Sequence, residues 1–187
     1  IVDRIDRDIA GRRGAVEDVL HKFEKHETDI LIGTQMIAKG LDFPNVTLVG
    51  VVDADTGLHL PDFRAAERTF QLIAQVAGRA GRGPRGGRVV VQTRNPDHYA
   101  LVAAARHDAE GFLATELGHR REPPYPPVAS LVNLVISGES ETGVADAAAR
   151  VAEWCASLVQ TQGLAVAVLG PAPCAIGRIK GRWRWHV

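Results

Sequence analysis

Three short apolar runs, separated by stretches of helical periodicity, constrain this chain more than any other feature of it. Asp29-Ile-Leu-Ile-Gly33, Val46-Thr-Leu-Val-Gly-Val-Val52 and Gly87-Arg-Val-Val-Val-Gln-Thr93 each read as a short buried strand. Between and around them, Val16, Val19, Leu20 and Phe23 recur at helical spacing from Arg12 to Lys25, with Glu17, Asp18, Lys22 and Glu24 facing water. A second helical stretch runs from about Arg64 to Ala77 and a third from roughly Asp97 to Arg120. Strands that alternate with helices pair in parallel, because a parallel connection needs a crossover, and the helices then cover both faces of the sheet. The expectation is an α/β domain.

Glu122-Pro-Pro-Tyr-Pro-Pro-Val128 interrupts that pattern, since prolines at this density exclude helix and interior strand alike. A domain boundary is expected there, dividing residues 1–121 from 122–187. Beyond it the pattern changes to a small α+β unit. Leu131 to Ile136 reads as a strand, and Val144, Ala148, Val151, Cys155 and Leu158 form a helical stripe. Leu164 to Leu169 reads as another strand, and Arg178 to Val187 alternates with period two. The chain stops inside that last run and starts as abruptly, so both ends look like truncation points of a longer protein.

Bulk composition excludes several classes. With 45% hydrophobic and 24% charged residues the chain is an ordinary globular sequence, neither disordered nor fibrous. No run approaches the roughly 18 apolar residues that span a bilayer, and Ile1-Val2-Asp3-Arg4 lacks the layout of a secretory signal, so the expected compartment is the cytoplasm, with no membrane partner. Cys155 and Cys174 stand alone, without a Cys-x-x-Cys pair or a histidine at ligand spacing, and no metal site is expected within the chain. Because 22 Lys+Arg balance 22 Asp+Glu, whole-chain charge cannot argue for nucleic acid, whereas local clustering can.

The strongest local signal is Gln75-Val-Ala-Gly78-Arg79-Ala-Gly81-Arg82, at the end of the second helical stretch. Two arginines three residues apart lie on one face of a helical turn, so both guanidinium forks can converge on a polyphosphate while the glycines admit close backbone approach. That suits an arginine finger, against the plainer reading of a salt-bridged surface pair. A second signal, Gly33-Thr34-Gln35-Met-Ile-Ala-Lys39-Gly40-Leu-Asp42-Phe43-Pro44, follows the first strand directly. Functional loops of parallel sheets sit at such carboxyl ends, although alone this could be an ordinary strand-to-helix turn. Gly81-Arg-Gly83-Pro-Arg-Gly86 matches G-x-G-x-x-G but follows a helix and precedes a strand, the reverse of a dinucleotide-binding turn.

"GTQMIAKGLDFP" and "QVAGRAGR", in this order and about forty residues apart, resemble motifs V and VI of the second RecA-like lobe of superfamily 2 helicases. "RIDRDIAGRRGAVE", "ILIGTQMIAKGLDFPNVTLVGVVDAD", "DFRAAERTFQLIAQVAGRAGRG", "GRVVVQT" and "GRWRW" narrow the resemblance to the PriA-type family of replication-restart DNA helicases, over most of the chain. The resemblance implies an ATP-dependent 3′-to-5′ helicase acting on forked DNA in primosome assembly. It also implies single-stranded DNA, restart proteins and single-stranded DNA-binding protein as partners, a nucleoid-associated bacterial location and a monomer. Gly40, Asp42, Gln75, Arg79 and Arg82 would face ATP, with Arg79 and Arg82 catalytic, and Thr34, Gln35 and Lys39 would lie towards the DNA. The unit after the prolines resembles the family's DNA-binding domain.

No Gly-x-x-x-x-Gly-Lys-[Ser/Thr] occurs, so the phosphate cradle and the Mg²⁺ ligands would sit on a first lobe outside this sequence, and the chain alone is expected to hydrolyse no ATP. The family's zinc module would lie upstream of Ile1, leaving Zn²⁺ to the parent protein.

The last signal is Arg178-Ile-Lys180-Gly-Arg182-Trp183-Arg184-Trp185-His186-Val187. On a single strand Arg178, Lys180, Arg182, Arg184 and His186 would share one face, able to neutralise DNA phosphates, while Trp183 and Trp185 would pack in the core behind it. The plainer reading is a solvated basic face. A reading of a different class from the helicase is a relative that has lost hydrolysis and serves as a DNA-structure-binding scaffold.

Overall fold

The computed structural model describes residues 1–11, 14–34, 37, 45–78 and 86–187. These residues divide into two compact units, Ile1–Pro123 and Pro124–Val187.

In the first unit, β1 (Val2–Ile5) pairs in parallel with β2 (Ile30–Gly33), with Val2 opposite Ile30 and Ile5 opposite Gly33. Between them come α1 (Arg7–Ala10) and α2 (Ala15–Glu24), the latter packed on β1. Helix α2 carries Glu17 and Asp18 in its first turn and His21 and Lys22 in its last, the order that complements the helix dipole. Gly33 has a packing reason: a Cβ there would lie 2.7 Å from the Ile5 carbonyl oxygen and 2.8 Å from Ile37 Cγ2. Only glycine lets β2 end this close to β1.

A second parallel pair joins β3 (Leu48–Val51) to β4 (Arg88–Val91), with Leu48 opposite Arg88 and Val51 opposite Val91. The connection includes α3 (Asp55–Leu58) and α4 (Ala65–Ala77), and α5 (Tyr99–Arg106) and α6 (Ala109–His119) follow. Helix α4 buries Ala65, Thr69, Ile73 and Val76, a stripe at helical spacing. Ile73 joins Ala54, Leu101 and Ala104 in one core cluster, and Ala100, Ala103 and Phe112 form another. Phe70 of α4 stacks on Phe112 of α6 with centroids 4.2 Å apart. The helical sequence expected from Asp97 to Arg120 is thus two helices. His107 turns into the left-handed region (φ 55°), and the Asp108 carboxylate accepts the Gly111 N–H at 2.8 Å to start α6.

The second unit is an antiparallel sheet in the order β5-β7-β6, made from β5 (Val135–Gly138), β6 (Ala172–Ile179) and β7 (Arg182–His186), with α7 (Glu141–Gln162) packed on it. Ser140 caps α7 by accepting the Gly143 N–H at 3.2 Å, and Gly163 ends it at φ 61°. Its buried stripe is Val144, Ala148 and Ala152. Cys155 is half-buried beside it, and Leu158, expected in the stripe, is exposed.

Three expectations are corrected here. The first strand begins at Val135 rather than Leu131. Leu164 to Leu169 is not a strand; an apolar run forms one only against a partner, and Leu164, Val166 and Leu169 are exposed. Arg178 to Val187 is not one strand but the end of a hairpin. Lys180 (φ 50°) and Gly181 (φ 80°) form its two-residue turn, the positive-φ pair that matches the twist of antiparallel strands.

Candidate functional site

The described residues place Thr34 immediately after β2, exposed, with its carbonyl accepting the Ile37 N–H at 3.1 Å. It stands at the carboxyl end of a parallel strand, where open α/β sheets gather ligand contacts. Gln35, Lys39, Gly40 and Asp42 lie outside the described residues.

The same edge of the second strand pair carries groups that the sequence reading passed over. Asp53, two residues after β3, is a non-glycine residue at φ 54°, and its carboxylate accepts the Thr56 N–H at 3.3 Å and hydroxyl at 2.7 Å. Asp55 is buried and accepts the Arg94 N–H at 2.8 Å and the Thr93 hydroxyl at 2.9 Å, both from the carboxyl end of β4. The Arg94 N–H holds its carboxyl below the usual aspartate range, with help from Thr93. Asp55 thereby ties the loop after β3 to the loop after β4. The signal was available: the strand-end rule applied to the first strand points equally at Asp53-Ala-Asp55 after the second.

Gln75 is exposed on the last turn of α4, and Gly78 caps the helix. Arg79 and Arg82, the proposed finger pair, lie outside the described residues. What positions α4 is visible. Glu67, in its first turn, is reached by Arg64 Nη2 at 3.0 Å, by Gln71 Nε2 at 3.2 Å and by Arg120 Nη2 at 2.7 Å. Arg120 is buried, and its Nε also donates to Glu116 of α6 at 2.8 Å, while the Phe63 ring centroid lies 5.3 Å from its guanidinium carbon. The Tyr99 hydroxyl completes the chain, donating to Glu116 at 2.6 Å. Hydrogen bonding to Arg64 first, then to Arg120, holds the Glu67 carboxyl below its ordinary range, and burial followed by the bond to Glu116 pushes the Tyr99 phenol up.

In the second unit the hairpin separates the five basic residues that the sequence placed on one face. Cross-strand partners share a face, and Arg178 is opposite Trp183 whereas Ile179 is opposite Arg182. Arg178 therefore belongs to the tryptophan side; its Nε donates to the Gly181 carbonyl at 3.2 Å and its guanidinium carbon lies 5.2 Å from the Trp183 ring centroid. Lys180 sits in the turn. Arg182, Arg184 and His186 do share a face, beside Ser137 and Val135 of β5, and Arg182 Nη2 donates to the Ser137 carbonyl at 3.1 Å. A Cβ on Gly138, opposite Trp183, would meet Val144 of α7 at 2.8 Å, so the half-buried Trp183 and Trp185 lie on the helix-covered side. On the basic face Arg182 is exposed, whereas Arg184 and His186 are half-buried and His186 Nδ1 lies 3.2 Å from Asn133 Oδ1.

Cys155 and Cys174 are free thiols, and no group of three or more His, Cys, Asp or Glu is gathered among the described residues. Among those residues no helix is long and apolar enough to cross a membrane.

The model of the helicase conserved C-terminal domain matches residues 10–84, and that of the primosomal protein N C-terminal domain matches residues 121–187. The replication restart protein PriA of Bacillus subtilis (strain 168) is 49% identical over 185 residues, covering 99% of this chain and 23% of that protein. The PriA proteins of Treponema pallidum (strain Nichols) and Synechocystis sp. (strain ATCC 27184 / PCC 6803 / Kazusa) are 45% and 44% identical, covering 100% and 98% of this chain and 28% and 22% of theirs. The chain thus spans about a quarter of the length of the curated relatives it matches. With two domain matches in tandem and relatives aligned over nearly its whole length, the chain belongs to the PriA family, as a C-terminal portion of a replication restart protein of this type.

Proposed function

We propose that this chain is the second half of a two-lobe nucleotide site in an ATP-dependent 3′-to-5′ DNA helicase that acts on forked DNA during replication restart, followed by a DNA-contacting domain. The observation that carries the reading is the helicase-domain match over residues 10–84, which ends on the Gln75-to-Arg82 segment, with Gln75 exposed where α4 delivers it. In this reading Gly40 and Asp42 of motif V and Gln75, Arg79 and Arg82 of motif VI face ATP. Arg79 and Arg82 stabilise the charge that develops on the transferred phosphoryl group. The first lobe supplies the phosphate loop and the Mg²⁺ ligands, because the sequence here contains no Gly-Lys-[Ser/Thr] loop; alone, this chain turns over no ATP. Zinc belongs to the parent protein's upstream module.

Thr34, Gln35 and Lys39 face the DNA strand in the helicase lobe, and Arg182 and Arg184 of β7 contact phosphates in the second unit, with Lys180 at the turn beside them. Arg178 supports Trp183 rather than touching DNA. The protein works in the bacterial cytoplasm as a monomer, with restart proteins and single-stranded DNA-binding protein as partners. The test is unwinding by the full-length parent of a labelled fork whose duplex lies beside a 3′ single-stranded tail. ATP-dependent strand release is expected. Fork binding without strand release at saturating ATP would overturn the helicase reading in favour of a non-hydrolysing scaffold.

A further inference from the structure

Helix α4 carries Gln75 on its last turn, so whatever fixes α4 along its own axis fixes where that side chain arrives. Its apolar stripe, Ile73 with Leu101 and Ala104, and Phe70 on Phe112, holds the helix against its neighbours mainly through burial, a force without direction of its own. The directional contact is polar. The Arg120 guanidinium forks between Glu67 of α4 and Glu116 of α6, at 2.7 Å and 2.8 Å, while itself buried. Glu67, Gln71 and Gln75 follow one another at four-residue intervals along one flank of α4, and Gln71 donates to Glu67. The row leads from the fork to the exposed glutamine over about 12 Å of helix.

Burying such a cluster is a poor way to gain stability, because desolvation offsets the ion-pair attraction, and fixed register is the best-attested use of a buried ionic contact. We propose that Arg120 is a positioning residue for the nucleotide site, holding α4 in the register that presents Gln75 to the nucleotide. This rests on the reading of motif VI given above. Each residue of slippage moves a helix by about 1.5 Å, and displacement of about 1 Å at a reacting centre costs about a hundredfold in rate.

The test uses the full-length parent and DNA-stimulated ATP hydrolysis. A triple variant, Glu67→Gln, Glu116→Gln and Arg120→Met, removes the fork without stranding a buried charge, so its melting temperature should stay close to wild type. Its kcat should fall by about tenfold to a hundredfold, with KM for ATP within about threefold. Its affinity for ADP with aluminium fluoride, which mimics the transition state, should fall while affinity for ADP does not. Arg120→Lys keeps the charge but cannot fork, and should lose part of kcat; it decides the matter if the triple variant does not fold. Tyr99→Phe loosens only the far end of the network and should lower the melting temperature without changing kcat. A triple variant, or Arg120→Lys, that hydrolyses ATP within about twofold of wild type overturns the proposal. Arg82→Ala in parallel separates the two ideas. An inactive Arg82→Ala beside a fully active Arg120→Lys sinks only the positioning role, and a fully active Arg82→Ala sinks the motif VI reading on which it stands.

Discussion

Arg178 stands directly across the hairpin from Trp183, with its guanidinium carbon 5.2 Å from the indole centroid, and is therefore on the opposite face of the sheet from Arg182 and Arg184. The basic stripe that a single strand would carry is shorter than it reads. Phosphate contacts add to the salt dependence of DNA binding one by one, with the slope of log affinity against log salt changing by about 0.7 to 0.9 per contact. In the full-length parent, Arg182→Gln with Arg184→Gln should lower the slope by nearly two such increments. Arg178→Gln should leave the slope alone and cost the second unit about 0.5–1 kcal/mol through loss of the cation–π contact. Equal slope changes from Arg178→Gln and Arg184→Gln would contradict this division of the face.

His98 gives a pH prediction. Its Nδ1 accepts the Ala100 N–H at 3.2 Å, capping α5, a role that only the unprotonated nitrogen can fill. Burial, the largest influence, holds its pKa below the ordinary 6.5, against the opposing pull of Glu116. Since the folded value is the lower one, the native state disfavours the proton. The stabilisation is present above about pH 6.5 and is lost as the pH falls through the folded pKa. His98→Asn retains a capping side chain without a titrating group, so thermal melts of the variant should lose less stability than wild type between about pH 7 and pH 5. Identical pH dependence in the two proteins would remove His98 from the account.

Much of this architecture was legible in the sequence where period and length agreed. The Val46–Val52 and Gly87–Thr93 runs contain β3 and β4, and the Arg64–Ala77 stretch contains α4, because each is short or periodic enough to permit one structure only. Reading failed where a turn residue or a missing partner decides. Lys180-Gly181 is a turn signal inside an alternating run, and the alternation hid it. Leu164–Leu169 has the composition of a strand and none is formed, since pairing is a property of two segments. His107 and Asp108 split a helical stretch by local capping geometry that periodicity does not register. In the candidate site, the motif drew attention to Gln75, which the structure leaves exposed on the last turn of α4, but nothing in the sequence pointed to the Arg120 fork. It joins Glu67 to a residue fifty-three positions away, and no spacing rule connects them.

The central claim, that this chain completes a nucleotide site with an arginine pair, is tested most directly by Arg82→Ala in the full-length parent, with Arg79→Ala beside it. Hydrolysis stimulated by single-stranded DNA should fall by about 10³ to 10⁵, the loss typical when a residue stabilises transition-state charge. Binding of a fluorescent nucleotide analogue should remain within a few-fold of wild type. Hydrolysis within about twofold of wild type for either variant would contradict that residue's assignment, and such a result for both would leave the segment from Gln75 to Arg82 without the catalytic role given to it here.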